Sequence, residues 1–452
     1  MVDIKEIAEK ILKLVKADQA DVRVLRERSH VTRFANSQIH QNMYEENCTA
    51  DLRVVIGKKI GTAKINLLGE ENLNELVERA TKIAKLQKDR ADFVTLPSNV
   101  GKPKKVKTFV QKTANHSVEE KAMSVKKLLE IAENYRPLPK VYGAFTTTTN
   151  ELCVMNTLGV SASGKNTVSN LGVCMIAEEG DAKGYGWAES AHMDVSKIDV
   201  ENVGKIAAEK AVNSIHTKKM EPGEYEVILE PRAVSELLGY LSYSGMGALA
   251  VQEQRSFLCG NIGNKIMDEK ISIWDDGNDE HGLPIPFDFE GVPKQRVDII
   301  ENGVARGYVY DSYTANREGK KNTGHALPPG MGAFEIGPLP TNLFMKEGNM
   351  HVEDMISNCS RGLLVTKLHY VNIIHPVKTI FTGMTRDGTF YIENGKILHP
   401  VKNLRFTQNV VEAFSSVNGI SAEKSIIAGD FGAVVCPYLH LDKFHFTGVT
   451  EF

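Results

Sequence analysis

Two Asn-Gly pairs, each set between apolar β-forming segments, constrain the second half of this chain more than any other feature. The run Val297-Asp-Ile-Ile-Glu-Asn302-Gly303-Val-Ala-Arg-Gly-Tyr-Val-Tyr310 places two residues that accept positive φ between strand-like arms. Tyr391-Ile-Glu393-Asn394-Gly395-Lys-Ile397 repeats the device further on. Both predict tight hairpins. From Glu221-Pro222-Gly223 onward the texture is short strands, Gly and Pro turns and a single helix, which predicts a largely antiparallel β domain over 220–452.

Before that boundary the periodicity differs. Ile4, Ile7, Ala8, Ile11, Leu12 and Val15 recur with a helical period, as do Leu73, Leu76, Val77, Ala80, Ile83 and Ala84, while Asp21–Leu25 and Thr49–Ile56 read as strands. A linker with Pro and Lys over 89–115 leads to a similar order: a helix near Val118–Tyr135, strands from Val141 to about Ala191, and a helix from about Val200 to Ile215. The expected fold class is α+β. An N-terminal α+β domain over 1–219 would hold two units of like plan, 1–88 and 116–219, without a residue-level repeat. A length of 452 residues fits about two or three domains.

With 54 Lys and Arg against 57 Asp and Glu, the net charge of −3 argues against a dedicated nucleic-acid binder, which needs surplus cations to displace phosphate counterions. The local exception, Lys102–Lys107, is expected to be solvated linker. No apolar run reaches transmembrane length, and the first residues form a charged amphipathic pattern in place of a signal peptide. Cys48, Cys153, Cys174, Cys259, Cys359 and Cys436 are scattered without a C-x-x-C pair, which fits a reducing compartment. A soluble cytoplasmic protein with no membrane contact is expected.

Three local patterns imitate chemistry. Gly159-Val-Ser-Ala-Ser-Gly164-Lys165-Asn166 nearly spells a phosphate-binding loop, but Asn166 replaces the metal-binding hydroxyl and strand-like sequence follows, so a hairpin turn is expected. Asp275–His281 packs carboxylates beside an imidazole, yet His281 falls where a calcium loop needs Gly, and a solvated acidic turn is expected. The polar stretch Asp311–Ala326 mixes Tyr313, Asn316, Arg317, Lys320, Lys321, Asn322, Thr323, Gly324 and His325 with no period, as functional loops do.

Four elements in this region carry a family likeness: D-x-E-G-V at Asp288–Val292, D-I-I-x-N-G at Asp298–Gly303, Y-x-x-x-S-Y at Tyr308–Tyr313 and T-G-H-A at Thr323–Ala326. Together with Gly57, Gly61, Asn156, Gly159, Arg361–Leu368 and Tyr391–Ile397 they make the chain resemble the TldD/PmbA family, whose PmbA member is also called TldE and which was once named as modulators of DNA gyrase. The resemblance implies a zinc-bearing TldD subunit paired with a TldE subunit, the pair trimming or degrading unfolded peptides in an enclosed chamber.

In the catalytic members a helix following the strand matched here by Val227–Leu229 carries H-E-x-x-x-H. Here Val234, Leu237, Leu238 and Leu241 mark that helix, and the match places the three motif positions on Gly239, Tyr240 and Ser244. None supplies an imidazole ligand or a carboxylate base. Cys436 lies where those members supply a further ligand, and is expected to be a core thiol.

The resemblance therefore implies a PmbA/TldE-like, non-catalytic subunit with no catalytic residue, metal or cofactor of its own. Zinc is expected in a TldD-like partner, and the chain would pair with that partner or with itself. Tyr313, Asn316, Arg317, Asn322 and His325 either line the chamber and hold peptide or pack against the adjacent hairpin. Two rivals stand beside this reading: an active metallopeptidase using atypical ligands such as His325, His375 or Cys436, and a nucleic-acid-associated protein.

Overall fold

The structure, a computed structural model, describes residues 3–329, 336–429 and 432–450. Asp3 caps α1 (Ile4–Leu14), whose Ile4, Ile7, Ala8 and Ile11 are buried. Strand β1 (Gln19–Ala35) turns at Asn36 and Ser37, both at positive φ, into β2 (Gln38–Ile56), which leads to β3 (Lys59–Ile65) and α2 (Glu70–Leu86). The connecting segment carries the short α3 (Gln111–Ala114) and is pinned by Phe93 and Leu96, which pack on Val55 and Ile60. A Ser117/Glu120 capping box opens α4 (Val118–Ala132), followed by β4 (Lys140–Asn156), β5 (Ser161–Glu179), β6 (Ala182–His192) and α5 (Val200–Asn213).

The order helix, three strands, helix thus occurs twice, and the two units share one antiparallel sheet, β3-β2-β1-β4-β5-β6, joined by β1 against β4. In each unit the closing helix rests directly on glycine in the third strand. A Cβ at Gly61 would lie 2.2 Å from the Ala80 carbonyl oxygen, and one at Gly186 would lie 2.1 Å from that of Ala207. Backbone meets backbone there, and only glycine permits it. Strands β1 and β2 run well past the apolar segments that mark them in sequence. Their middle, around His30 opposite Tyr44, is polar on both faces and so carries no alternation to read.

The turn after β4 is the expected hairpin: Asn156 Oδ1 accepts the Leu158 and Val160 N–H groups, Gly159 sits at φ 93°, and Lys165 lies in β5.

The second sheet begins at β7 (Gly223–Leu229), which runs into α6 (Pro231–Gly245) and α7 (Ala248–Gln252). Then come β8 (Ile273–Asp275), β9 (Val297–Glu301), β10 (Val304–Ala305), α8 (Ser312–Glu318), β11 (Asn342–Met345) and α9 (Val352–Ser357). The chain continues through β12 (Arg361–His375), β13 (Ile380–Glu393), β14 (Lys396–Pro400), β15 (Leu404–Asn409), α10 (Val410–Ala413), β16 (Val417–Gly429) and β17 (Gly432–Val449). Because β7 pairs with both β12 and β17, the strands β7-β12-β13-β15-β17 close into a ring around the main core.

Both Asn-Gly turns have positive φ at each central residue, Asn302 with Gly303 and Asn394 with Gly395. Several expectations need correction. Among the described residues the single expected helix is five, α6 to α10, the strands of the ring reach 18 residues, and β7–β12 and β11–β17 are parallel pairs within an otherwise antiparallel sheet. The polar stretch after the first hairpin contains a helix, α8, capped by Asp311 and stopped by Gly319 at φ 61°. At two turns it is too short to show a period. Among the described residues no helix is long and apolar enough to cross a membrane.

Candidate functional site

The entry from β7 into α6 follows local rules: Glu230 keeps an extended backbone at the N-cap and Pro231 occupies the first turn, where its missing N–H costs nothing. Val234, Leu237, Leu238 and Leu241 press fully into the core, which turns the opposite face of the helix outward. That face forms one wall of a cavity of about 430 Å³, contributed by Arg232, Ser235, Glu236, Gly239, Tyr240 and Tyr243. Leu339, Leu343, residues 427–429 of β16 and residues 432–434 of β17 form the other wall.

Arg232 bridges Glu236 at 2.7 Å and Glu189 of β6 at 3.5 Å, so the N-terminal sheet reaches this wall. Its Nε is buried without a hydrogen-bond partner. A Cβ built on Gly239 would meet nothing within 4 Å.

Two of the three positions matched to the zinc motif, Gly239 and Tyr240, therefore face the cavity. Ser244 does not: it is buried and its hydroxyl donates back to the Leu241 carbonyl at 3.4 Å. Cys436 is fully buried with its thiol donating to the Pro231 carbonyl at 3.1 Å, and burial raises its pKa far above the ordinary thiol value. Glycine, tyrosine, serine and a buried thiol do not fit a zinc ion, and no hydrolytic step can be routed through one here. Nor do His325, His375 and Cys436 supply an alternative, since among the described residues their ligand atoms form no group of three within 4.8 Å.

The segment 313–325 is spent on the protein itself. The Tyr313 hydroxyl donates to Asp92, Arg317 lies 3.6 Å from the same carboxylate, and Asn316 donates to the Thr95 carbonyl at 3.4 Å. Asn322 donates to Ser312 Oγ and accepts the Gly324 N–H. The Tyr313, Asn316 and Arg317 contacts tie α8 to the 89–115 segment. Asn316 and Arg317 keep exposed surface.

His325 departs furthest from the expected chamber lining: it is fully buried, Nε2 lies 2.7 Å from Asp275, and Nδ1 lies 2.9 Å from Thr323 Oγ1. Asp275 likewise departs from the expected acidic turn, being fully buried at the end of β8 and accepting the Thr341 and Asn342 N–H groups. Neither residue could be placed from sequence, because the two are brought together only by the tertiary fold.

Burial, reinforced by the nearby Lys294 ammonium, pushes the His325 pKa down to about 4. A folded pKa below the unfolded value of about 6.5 contributes stability that is present above that value and lost as pH falls toward 4. We expect the stability advantage of the native chain over His325→Asn, which cannot protonate, to shrink by roughly 2–3 kcal/mol between pH 6.5 and 4. Denaturant unfolding at several pH values measures it, and a pH-independent difference refutes a neutral buried imidazole.

Family models described as PmbA/TldA metallopeptidase domain 1, central domain and C-terminal domain match residues 20–84, 112–215 and 222–448. The chain belongs to the PmbA/TldD family. It is 32% identical over 220 residues to an uncharacterized protein of Methanocaldococcus jannaschii, covering 48% of this chain and 50% of that one. It is 27% identical to Metalloprotease PmbA of Escherichia coli O157:H7, covering 61% and 59%, so it aligns with only part of the length of these two relatives. A second M. jannaschii protein named as a metalloprotease is 22% identical over 94% of each chain. Among solved structures, TldE from Thermococcus kodakarensis superposes with a TM-score of 0.88 at 22% identity, covering 98% of this chain and 99% of that one.

The PmbA/TldD landmarks acquire physical reasons here. Asp288 Oδ1 accepts the Glu290 and Val292 N–H groups and its Oδ2 accepts that of Ala326, so D-x-E-G-V and T-G-H-A hold each other. Gly324 is at φ 76° with a Cβ position 2.6 Å from the Pro293 carbonyl. Glu290 reaches across to the N-terminal sheet, pairing with Arg53 of β2 at 2.9 Å and accepting the Ser312 N–H. Arg53 also takes both oxygens of Asp21, and Arg23 donates to the Phe289 carbonyl at 2.6 Å. This buried network, joining the two halves of the PmbA/TldD fold, had no short-range sequence signal.

Proposed function

We propose that this chain is the non-catalytic, TldE-like subunit of a cytoplasmic zinc metallopeptidase complex that processes unfolded peptides, and that the cavity over α6 holds a segment of extended peptide. The observation that carries the reading is a roomy cleft on the helix matched to the family's zinc motif, walled by Gly239 and Tyr240 where ligands and base would stand. Zinc and the hydrolytic base would come from a TldD-like partner. This chain's residues would bind and orient: Ser235 and Tyr243 offer hydroxyls, and Leu339, Leu343, Ile427 and Val434 suit apolar side chains.

The test is a cleavage assay on a fluorogenic unfolded peptide. This chain alone should leave it intact, and a mixture with a TldD-like subunit should show chelator-sensitive cleavage faster than that subunit gives by itself. Chelator-sensitive cleavage by this chain alone overturns the reading, as does a strict monomer that leaves the partner's rate unchanged.

A further inference from the structure

Val227 and Leu229 face the core beside α6, so Glu226 and Ile228 point to the opposite face of β7. On that face Glu226, Cys359 from the turn between α9 and β12, and His440 of β17 bring a carboxylate oxygen, a sulfur and an imidazole nitrogen within 4.8 Å of one another. Among the described residues no other three Cys, His, Asp or Glu side chains do so.

The strand register builds the arrangement. Gly362 pairs with Glu226, and His440 stands opposite Ile228, two residues along the same face. A Cβ at Gly362 would lie 2.6 Å from Cys359 Sγ and 2.7 Å from the Glu226 carbonyl oxygen, so glycine at 362 is what admits the sulfur. His440 Nε2 is 2.9 Å from Glu226 Oε2, while Glu226 Oε1 accepts the Ser360 hydroxyl at 2.5 Å, which orients the carboxylate. Cys359 and His440 are buried, and exposed Ser360 and Arg361 leave an entry beside the half-buried Glu226.

We propose that Glu226, Cys359 and His440 bind one divalent metal of the zinc class, fastening β7, β17 and the turn before β12 together, with a water as fourth ligand. A mixed nitrogen, sulfur and oxygen set of three suits zinc or cobalt in tetrahedral geometry. A thiolate and a carboxylate balance the two positive charges, so the loaded site is neutral. On binding, the Cys359 thiol releases its proton to solvent, and the ring proton that His440 holds on Nε2 against Glu226 moves to Nδ1, which has no other partner. Burial lowers the His440 pKa and keeps the imidazole neutral, as a ligand must be. Burial and the Glu226 charge push the metal-free Cys359 thiol up to about 12, so affinity should rise with pH. This site lies on the other face of β7 from the α6 cleft, and it revises the expectation of a metal-free chain without altering the absence of a catalytic zinc at α6.

The full chain, stripped with a chelator, is titrated with Co²⁺ and followed by absorbance. One equivalent should produce a thiolate-to-cobalt charge-transfer band, which Cys359→Ser and His440→Gln should abolish and Cys436→Ser should retain. A chain without that band at one equivalent, or a band that survives Cys359→Ser, overturns the proposal. Should those variants misfold by circular dichroism, Glu226→Gln keeps the side-chain size and should weaken Co²⁺ binding by about tenfold or more. An unchanged titration in that variant also overturns it. The titration reads metal on the isolated chain and the cleavage assay reads the pair, so either proposal can fail alone.

Discussion

Replacing Arg53 by alanine should lower the unfolding free energy by about 3–5 kcal/mol, because it strands buried carboxylates that water cannot reach. The Arg53 side chain is 5% exposed, Asp21 is 1% exposed and Glu290 is 6% exposed, and Arg53 is hydrogen-bonded to both. Asp21 retains Arg23, at 2.5 Å, but among the described residues Glu290 has no second cation in an ion pair. Adding Glu290→Gln should therefore recover part of the loss, since a neutral amide can still accept the Ser312 N–H without leaving a bare charge. A double-mutant cycle in urea measures this. Strict additivity of the two changes would show that the pair is not the element joining the halves.

The second large effect concerns the cleft. Gly239→Trp places a ring where a Cβ meets nothing within 4 Å, and it removes a helix-interior glycine, so the fold should hold or gain about 0.5 kcal/mol. With the cavity occupied, a peptide can no longer be positioned over α6. The contribution of this chain to cleavage by the reconstituted pair should then fall by up to about 10²-fold. Melting and turnover are read on the same preparation. A stable variant with full turnover would mean that the cleft is a packing defect and that peptide is held elsewhere.

The sequence by itself determined what is local. Asn302-Gly303 and Asn394-Gly395 are hairpins because the two central residues alone decide the turn. The helices at 4–14, 70–86 and 231–245 follow from apolar stripes within a few turns. The lack of ligands at Gly239, Tyr240 and Ser244 is legible for the same reason, since that motif lies on one helix. Tertiary structure decided everything that depends on distant residues meeting. The closure of β7 onto β17 depends on strand pairing between chain segments that no periodicity connects. Arg53 meets Glu290 across 237 positions, Glu226 meets His440 across 214, and Asp275 meets His325 across 50. A polar residue in a run such as 311–326 looks solvated until its partner is known. Burial of a charged group is stable only when that partner arrives, and the partner is set by the folded topology, not by sequence neighbours.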